Sequence, residues 1–413
     1  MSIIEPQSEP SDFTIEKATN LIALSNKIKS FINKITLRKI LLKIHLYISL
    51  WLGGLLVIAG ITGSILVYDH ALDQLLNAES MLIEQPGNQS KSIADLITSA
   101  NLLSPIKSAP SHIQLPASPD EALIIRYQMP AEANHKGHNH HFYELMMNQY
   151  TGEVIGQRDQ FNSLMIMVLK LHFNLFADET GQLIMGITSL LTLFLIITGI
   201  YLWWPKLSQL KKALTIKKNA SLTRFNFDLH KTIGIYTAIV LFSVSLSGVH
   251  FNMPYIFRPI VNFFSPLDNM RSVVVSENIS NIAIPTEAAI TIAEQTFPGI
   301  KVQRVSFPSN NQGVYVVSGK QLDEINEKGT TQLSIDQYSG KVLKVKDPHQ
   351  LSAGNAFLNI QLPLHNGEIL GEPGRILVLI AGFAPLLLMI TGVTHWLKKR
   401  RSKRLHDARF KTL

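Results

Sequence analysis

Four stretches of the chain are almost continuously apolar over roughly 20 residues, the length needed to cross a hydrocarbon core. They run from about Ile44 to Tyr68, Leu183 to Trp204, Thr232 to Phe251 and Ile376 to Leu397. The pattern predicts four membrane spans. In the two long intervals between spans one and two and between spans three and four, the periodicity changes. Ser92–Leu102 and Thr286–Phe297 read as helices, whereas Ala122–Gln128 and Gly313–Ser318 alternate as half-buried strands do. Gln149-Tyr150-Thr151-Gly152-Glu153-Val154 and Gln337-Tyr338-Ser339-Gly340-Lys341-Val342 read as two copies of one hairpin turn, with glycine at the unusual backbone angle. Each interval therefore predicts a small α+β domain, one helix on an antiparallel sheet. The predicted fold is an α-helical four-span bundle carrying two such domains, with an internal two-fold repeat whose copies share one orientation in the membrane.

Charge orients this arrangement. Six basic residues fall between Lys27 and Lys43, six between Lys206 and Arg224 and eight between Lys398 and Lys411, each group abutting a span. Under the positive-inside rule these segments are cytoplasmic. The expected order is a cytoplasmic N-terminal segment 1–43 with a surface helix around 21–35, a first span 44–69 and an exported domain 70–170. A histidine segment with the second span follows at 171–204, then a cytoplasmic loop 205–229, a third span 230–254 and a second exported domain 255–362. A second histidine segment with the fourth span occupies 363–397, and a basic tail 398–413. The first span reads as an uncleaved signal anchor. This places the protein in a bacterial inner membrane, N-in and C-in, with large periplasmic loops. The net charge of +8 is accounted for by these flanks, so no nucleic-acid partner is expected.

Composition then limits the chemistry. Only 16% of residues are charged and 46% are hydrophobic, against about 25% charged in an ordinary soluble domain. Cysteine is absent, which excludes disulfides, thiolate zinc sites, iron–sulfur clusters and covalent c-type haem. No phosphate loop, zincin motif or nucleophile elbow is present.

The histidines repeat with the spans. Ile44-His45…Gly63 returns as Leu229-His230…Gly248, and Leu171-His172…Gly181…Thr198-Gly199…Trp203 returns as Leu364-His365…Gly374…Thr391-Gly392…Trp396. Histidine is costly near a bilayer core and marks a functional site there by default. The topology sets His45 and His230 on the cytoplasmic side and His172 and His365 on the outer side. Two symmetry-related imidazoles at one depth can approach a planar macrocycle from opposite faces, so haem iron is the simplest ligand for the set. His250 and His395 have no counterpart in the repeat and are possible alternative ligands. His135, His138, His140 and His141 form a separate tract with metal-binding composition. Asp69 and His70, at the mouth of span one, are candidates to shape an outer site.

The basic lead-in to Ile44-His45…Gly63, Leu171-His172…Trp203-Trp204-Pro205, Phe227-Asp228-Leu229-His230-Lys231-Thr232-Ile233-Gly234 and Leu364-His365-Asn366-Gly367 resemble the PepSY-associated transmembrane family, over roughly residues 36–400. The two hairpin hexapeptides resemble PepSY domains. That resemblance implies an iron-regulated inner-membrane protein carrying haem b, with His45, His172, His230 and His365 as ligands and two haems per chain. It also implies electron transfer outward to a ferric siderophore or other Fe(III) chelate, reduced to Fe(II) and released. Some relatives carry a fused flavoprotein module; this chain does not, so the donor is a quinol or a cytoplasmic reductase. Two other readings compete: a siderophore or iron-uptake permease component, and a PepSY peptide-binding or regulatory membrane protein without redox activity.

Overall fold

The computed structural model describes residues 12–130, 141–268, 273–277 and 282–411. Four helical stretches are long and apolar enough to cross a membrane: Leu37–Leu66, Asp178–Trp203, Leu222–Asn252 and Glu368–Ala408. Each is longer than its apolar core, because the helical backbone continues into the polar flanks. The first belongs to one helix, Asp12–Leu66, so no separate surface helix precedes the span. The fourth is broken: Gly371–Ala381 and Ala384–Lys411 are separate helices. Pro385 sits at the break, and its missing N–H interrupts the helical ladder where it would otherwise bond back to Ala381.

The helices precede or follow shorter ones that turn the chain. Leu164–Asn174 carries His172 and Gln361–Asn366 carries His365. Each is followed by residues in the left-handed region, Leu175 and Phe176 after the first and Gly367 after the second. The spans then start so close to these turns that a side chain is barred. A Cβ on Gly181 would lie 1.6 Å from the Asn174 carbonyl oxygen, and one on Gly374 would lie 2.2 Å from that of Gly367. The repeated histidine-to-glycine spacing is thus a turn requirement. Gly181→Ala or Gly374→Ala should destabilise the protein by about 1–3 kcal/mol through forced displacement of the turn, read as a lowered Tm of the purified protein.

The interspan regions form one antiparallel sheet. Its strands are β1 (His112–Gln114), β2 (Leu123–Gln128), β3 (Phe142–Met147), β4 (Val154–Asp159), β5 (Lys301–Ser306), β6 (Val314–Lys320), β7 (Thr331–Asp336) and β8 (Val342–Lys346). The order is β4-β3-β2-β1-β5-β6-β7-β8. This differs from two separate sheets. Each interval does build a four-strand meander, but β1 would otherwise be an open edge with unpaired backbone groups, and it pairs with β5 through His112↔Ser306, Ile113↔Val305 and Gln114↔Arg304. Helices Ile93–Leu103 and Thr286–Thr296 lie on one face. They share with Ile113, Ile125, Leu145, Val305, Val317, Leu333 and Ile335, all fully buried, a core that runs across the seam.

The hairpin turns are held by their own side chains. Gly152 and Gly340 have φ of 79° and 72°. Asn148 Oδ1 accepts from the N–H of Tyr150 and Thr151, and Asp336 Oδ1 accepts from those of Tyr338 and Ser339. Burial pushes the Asp336 carboxyl pKa up, but the backbone N–H groups of Ser339, Tyr338 and Glu277 outweigh it and hold the pKa at about 2. A depressed folded-state value stabilises the fold above the ordinary carboxylate range, and that contribution is lost as pH falls through about 2. Asp336→Asn should therefore flatten the acid limb of the stability–pH curve below pH about 4, measurable by thermal denaturation at successive pH values.

By internal packing the chain divides into two compact units. One comprises Met1–Leu52, Phe194–Ile235 and Met389–Leu413; the other comprises Gly53–Leu193 and Tyr236–Leu388 and includes the whole sheet. Within the second unit, Lys328 pairs with Asp69 at 3.3 Å, and His70 stands 3.7 Å from Glu121. Both residues therefore tie the end of the first span to the sheet domain.

Candidate functional site

Each of the four repeated histidines is held in the same way. His45 Nδ1 lies 2.9 Å from Thr198 Oγ1, His172 Nδ1 3.0 Å from Thr62 Oγ1, His230 Nδ1 2.8 Å from Thr391 Oγ1, and His365 Nδ1 2.8 Å from Ser247 Oγ. The hydroxyls are themselves committed. Thr62 donates to the Ile58 carbonyl at 2.6 Å, Thr198 to Phe194 at 2.9 Å and Ser247 to Ser243 at 2.8 Å, each four residues back on its own helix. A hydroxyl whose proton is used can only accept from the ring, so Nδ1 carries the proton in these three histidines. Nε2 then holds the lone pair, the form that ligates a metal.

The residue after each hydroxyl is glycine. A Cβ on Gly63 would lie 3.0 Å from His172 Cε1, and one on Gly199 3.3 Å from His45 Cε1. On Gly392 it would lie 3.5 Å from His230 Cε1. The ring of each of these histidines rests over a glycine on the neighbouring helix. Gly248, after Ser247, faces Ser189 Oγ instead, at 2.7 Å from the same constructed position.

The structure brings two of the predicted ligands together. The His172 and His365 ring centroids are 6.0 Å apart, with planes at 75°, and Phe251 packs against His365 at 5.4 Å. His45 and His230 both belong to the other compact unit, each on its own hydroxyl. His250 and His395 are held differently. Their Nδ1 atoms are buried with no hydrogen-bond partner, and their rings lie among aromatics, His250 at 5.2 Å from Phe251 and 5.1 Å from Phe257, His395 at 5.8 Å from Phe227. Of the histidine tract, His135, His138 and His140 lie outside the described residues; His141 stacks on Phe161 at 3.5 Å. Among the described residues no group of three or more His, Asp or Glu side chains could hold a metal ion.

The hydroxyl partners were not among the residues singled out by sequence. Their signal was present as Thr62-Gly63, Thr198-Gly199, Ser247-Gly248 and Thr391-Gly392, one dipeptide in every span.

Four spans, paired histidines and the sheet domain all lie within one family profile, the PepSY-associated TM region, which matches residues 42–399. The chain belongs to that family. No curated protein matches it. Within this PepSY-associated membrane protein, His45, His172 and His365 carry the proton on Nδ1 and are fixed in orientation by hydroxyls, as His230 is by Thr391. Such a set is suited to ligating a metal and unsuited to proton transfer through Nδ1, whose proton is already engaged.

Proposed function

We propose that this PepSY-associated membrane protein is a haem-b reductase that delivers electrons to a ferric chelate outside a bacterial inner membrane. The observation that carries the reading is the His172–His365 pair. Two imidazoles on opposite sides of one metal, with metal–nitrogen bonds of about 2 Å, hold their centroids about 6 Å apart; these stand at 6.0 Å. Both rings have Nδ1 on a hydroxyl, which leaves Nε2 for ligation. This donor chemistry fits a haem that His172 and His365 would hold, and His45 and His230 would hold a second one.

Bound there, haem supplies reversible one-electron chemistry, and double histidine ligation leaves no open position for oxygen. What the chain contributes is orientation and dryness. Thr62 and Ser247 fix ring rotation and tautomer, and a hydrogen bond to Nδ1 raises the basicity of the ligand. Gly63 admits a ring edge where any side chain would intrude. We infer that the two halves of the chain are related by a pseudo-two-fold axis along the membrane normal, since His45 exchanges places with His230 and His172 with His365 under it. The sheet domain would then stand on the periplasmic side and receive the chelate. The electron donor would be a quinol or a cytoplasmic reductase. Fe(III) bound by hard oxygen ligands is released once reduced, because Fe(II) carries less charge and is held less tightly by them.

Oxidised and dithionite-reduced spectra of the detergent-purified protein, with pyridine haemochrome quantitation, test this. A low-spin b-type spectrum with two haems per chain is expected. Protein that is colourless when purified from haem-replete cells would sink the reading and leave a permease or peptide-binding role. A finer test uses the hydroxyls. Thr62→Val removes the acceptor of the His172 Nδ1 proton and should weaken haem retention at that pair roughly 10–100-fold, read as the rate of haem transfer to an apo-globin acceptor. Thr62→Ser should restore it.

A further inference from the structure

The sheet has a second face, opposite the one that carries the shared core. On it the strand register sets Arg126 of β2 beside His112 of β1, and Arg304 of β5 between Gln114 of β1 and Ser318 of β6. The row continues through β7 to Lys346 of β8. Neighbouring strands are about 4.8 Å apart, so the cations on β2, β5 and β8 spread across about 24 Å.

These cations differ in how they are neutralised. Arg126 is paired with the fully buried Glu144 at 2.7 Å. Arg304 forms no ion pair and no side-chain hydrogen bond among the described residues, and Lys346 has no direct ion pair there either. Arg304 is nonetheless exposed at the surface as a residue, and partial withdrawal of its guanidinium from water, then the like charge of Arg126, disfavour its charged form. His112 adds no counter-charge. It accepts from Arg126 Nη1 at 3.3 Å and donates Nδ1–H to Ser111 Oγ at 2.7 Å, and burial, then the charges of Arg126 and Arg304, lower its pKa to about 3. Arg126 has the Glu144 carboxylate as its partner, whereas Arg304, two strands away, has none among the described residues. An added anion would relieve the repulsion, and the guanidinium fork matches a carboxylate with two parallel hydrogen bonds.

We propose that this face, centred on Arg304 at the β1–β5 seam, is a binding site for a ligand that presents several carboxylates. Resting on the reductase reading, that ligand is a ferric chelate of net negative charge, of the hydroxycarboxylate class. Arg304 is its principal contact and Lys346 a second charge at about 14 Å, with the buried Ser318 and then Gln332 between them in the row and Gln114 on the far side of Arg304.

The test is calorimetric titration of the full-length, detergent-purified protein with ferric citrate at low salt. Wild-type protein should bind, with affinity that falls as salt rises. Arg304→Ala should weaken binding about tenfold or more, as loss of a charge-assisted hydrogen bond does. Arg304→Lys, which keeps the charge and loses the fork, should fall between wild type and Arg304→Ala, and Arg304→Glu should abolish binding. A ferric trihydroxamate carrying a free ammonium group should be insensitive to all three. Unaltered ferric citrate binding by Arg304→Glu, or no binding by the wild type, would overturn the proposal. The haem spectrum of the same samples reports separately on folding and on the reductase reading. A colourless protein that still binds ferric citrate through Arg304 keeps this site and loses the reductase.

Discussion

Replacing His365 by Ala should remove half of the haem and leave the other half spectrally unchanged. On the proposed reading His172 and His365, with ring centroids 6.0 Å apart, would hold one haem together, so deleting either should empty the same position. His172→Ala should therefore give the same spectrum as His365→Ala, and the double variant should lose nothing more. His45 and His230 belong to the other compact unit and rest on Thr198 and Thr391, which neither substitution touches. His45→Ala should accordingly remove the complementary half. Ferric chelate reduction should fall by orders of magnitude in each case, since each pair is an obligatory relay. Haemochrome quantitation with difference spectra decides it. Full haem content in His365→Ala would break the ligand assignment and promote His250, whose orphaned ring lies on the same helix three residues beyond Ser247.

The second large effect concerns stability. Glu144 is fully buried on β3 and accepts from Arg126 Nε at 2.7 Å and Arg158 Nε at 2.7 Å. Arg158 in turn grips Asp73 with Nη1 at 2.9 Å and Nη2 at 2.7 Å. This chain of charges ties the helix Asp69–Leu76, which follows the first span, to the sheet. Removing the shared carboxylate leaves Arg126 without a carboxylate and Arg158 with Asp73 alone, and both guanidiniums are largely withdrawn from water. The cost of breaking such a buried network from one side is about 3–5 kcal/mol, so Glu144→Ala should lower the Tm by about 10 °C. Glu144→Gln, which keeps two acceptor sites on one oxygen, should cost less. Loss of under 1 kcal/mol in Glu144→Ala would show that the arginines find water instead.

Much of this architecture is legible in the chain itself. The spans follow from unbroken apolar runs, and helices Ile93–Leu103 and Thr286–Thr296 with strands β2 and β6 stand where periodicity placed them. Three features were hidden for identifiable reasons. The union of the two meanders rests on β1, three residues reading His112-Ile113-Gln114, too short for any alternation to register. The break in the fourth span depends on Gly382 and Pro385, which in an apolar run read as ordinary small-residue packing. The seats of the histidines required knowing which span lies against which. Thr62 is 110 positions from His172, and only the folded chain shows that its hydroxyl meets that ring.

The seam between β1 and β5 also has a temporal meaning. Every other strand pairing joins segments close in the chain, so each meander can form as soon as its own residues have been synthesised. The seam alone joins residues about 190 positions apart, and contacts of that range close late. The first half must wait, with β1 as an open edge, through the synthesis of two further spans, Asp178–Trp203 and Leu222–Asn252, and of the second meander. During that interval it is exposed to edge-to-edge pairing with other chains. The three residues His112, Ile113 and Gln114 are then the point at which maturation ends. The Arg304 surface, assembled across that line, would come into being only with the finished molecule and would be absent from every truncated one.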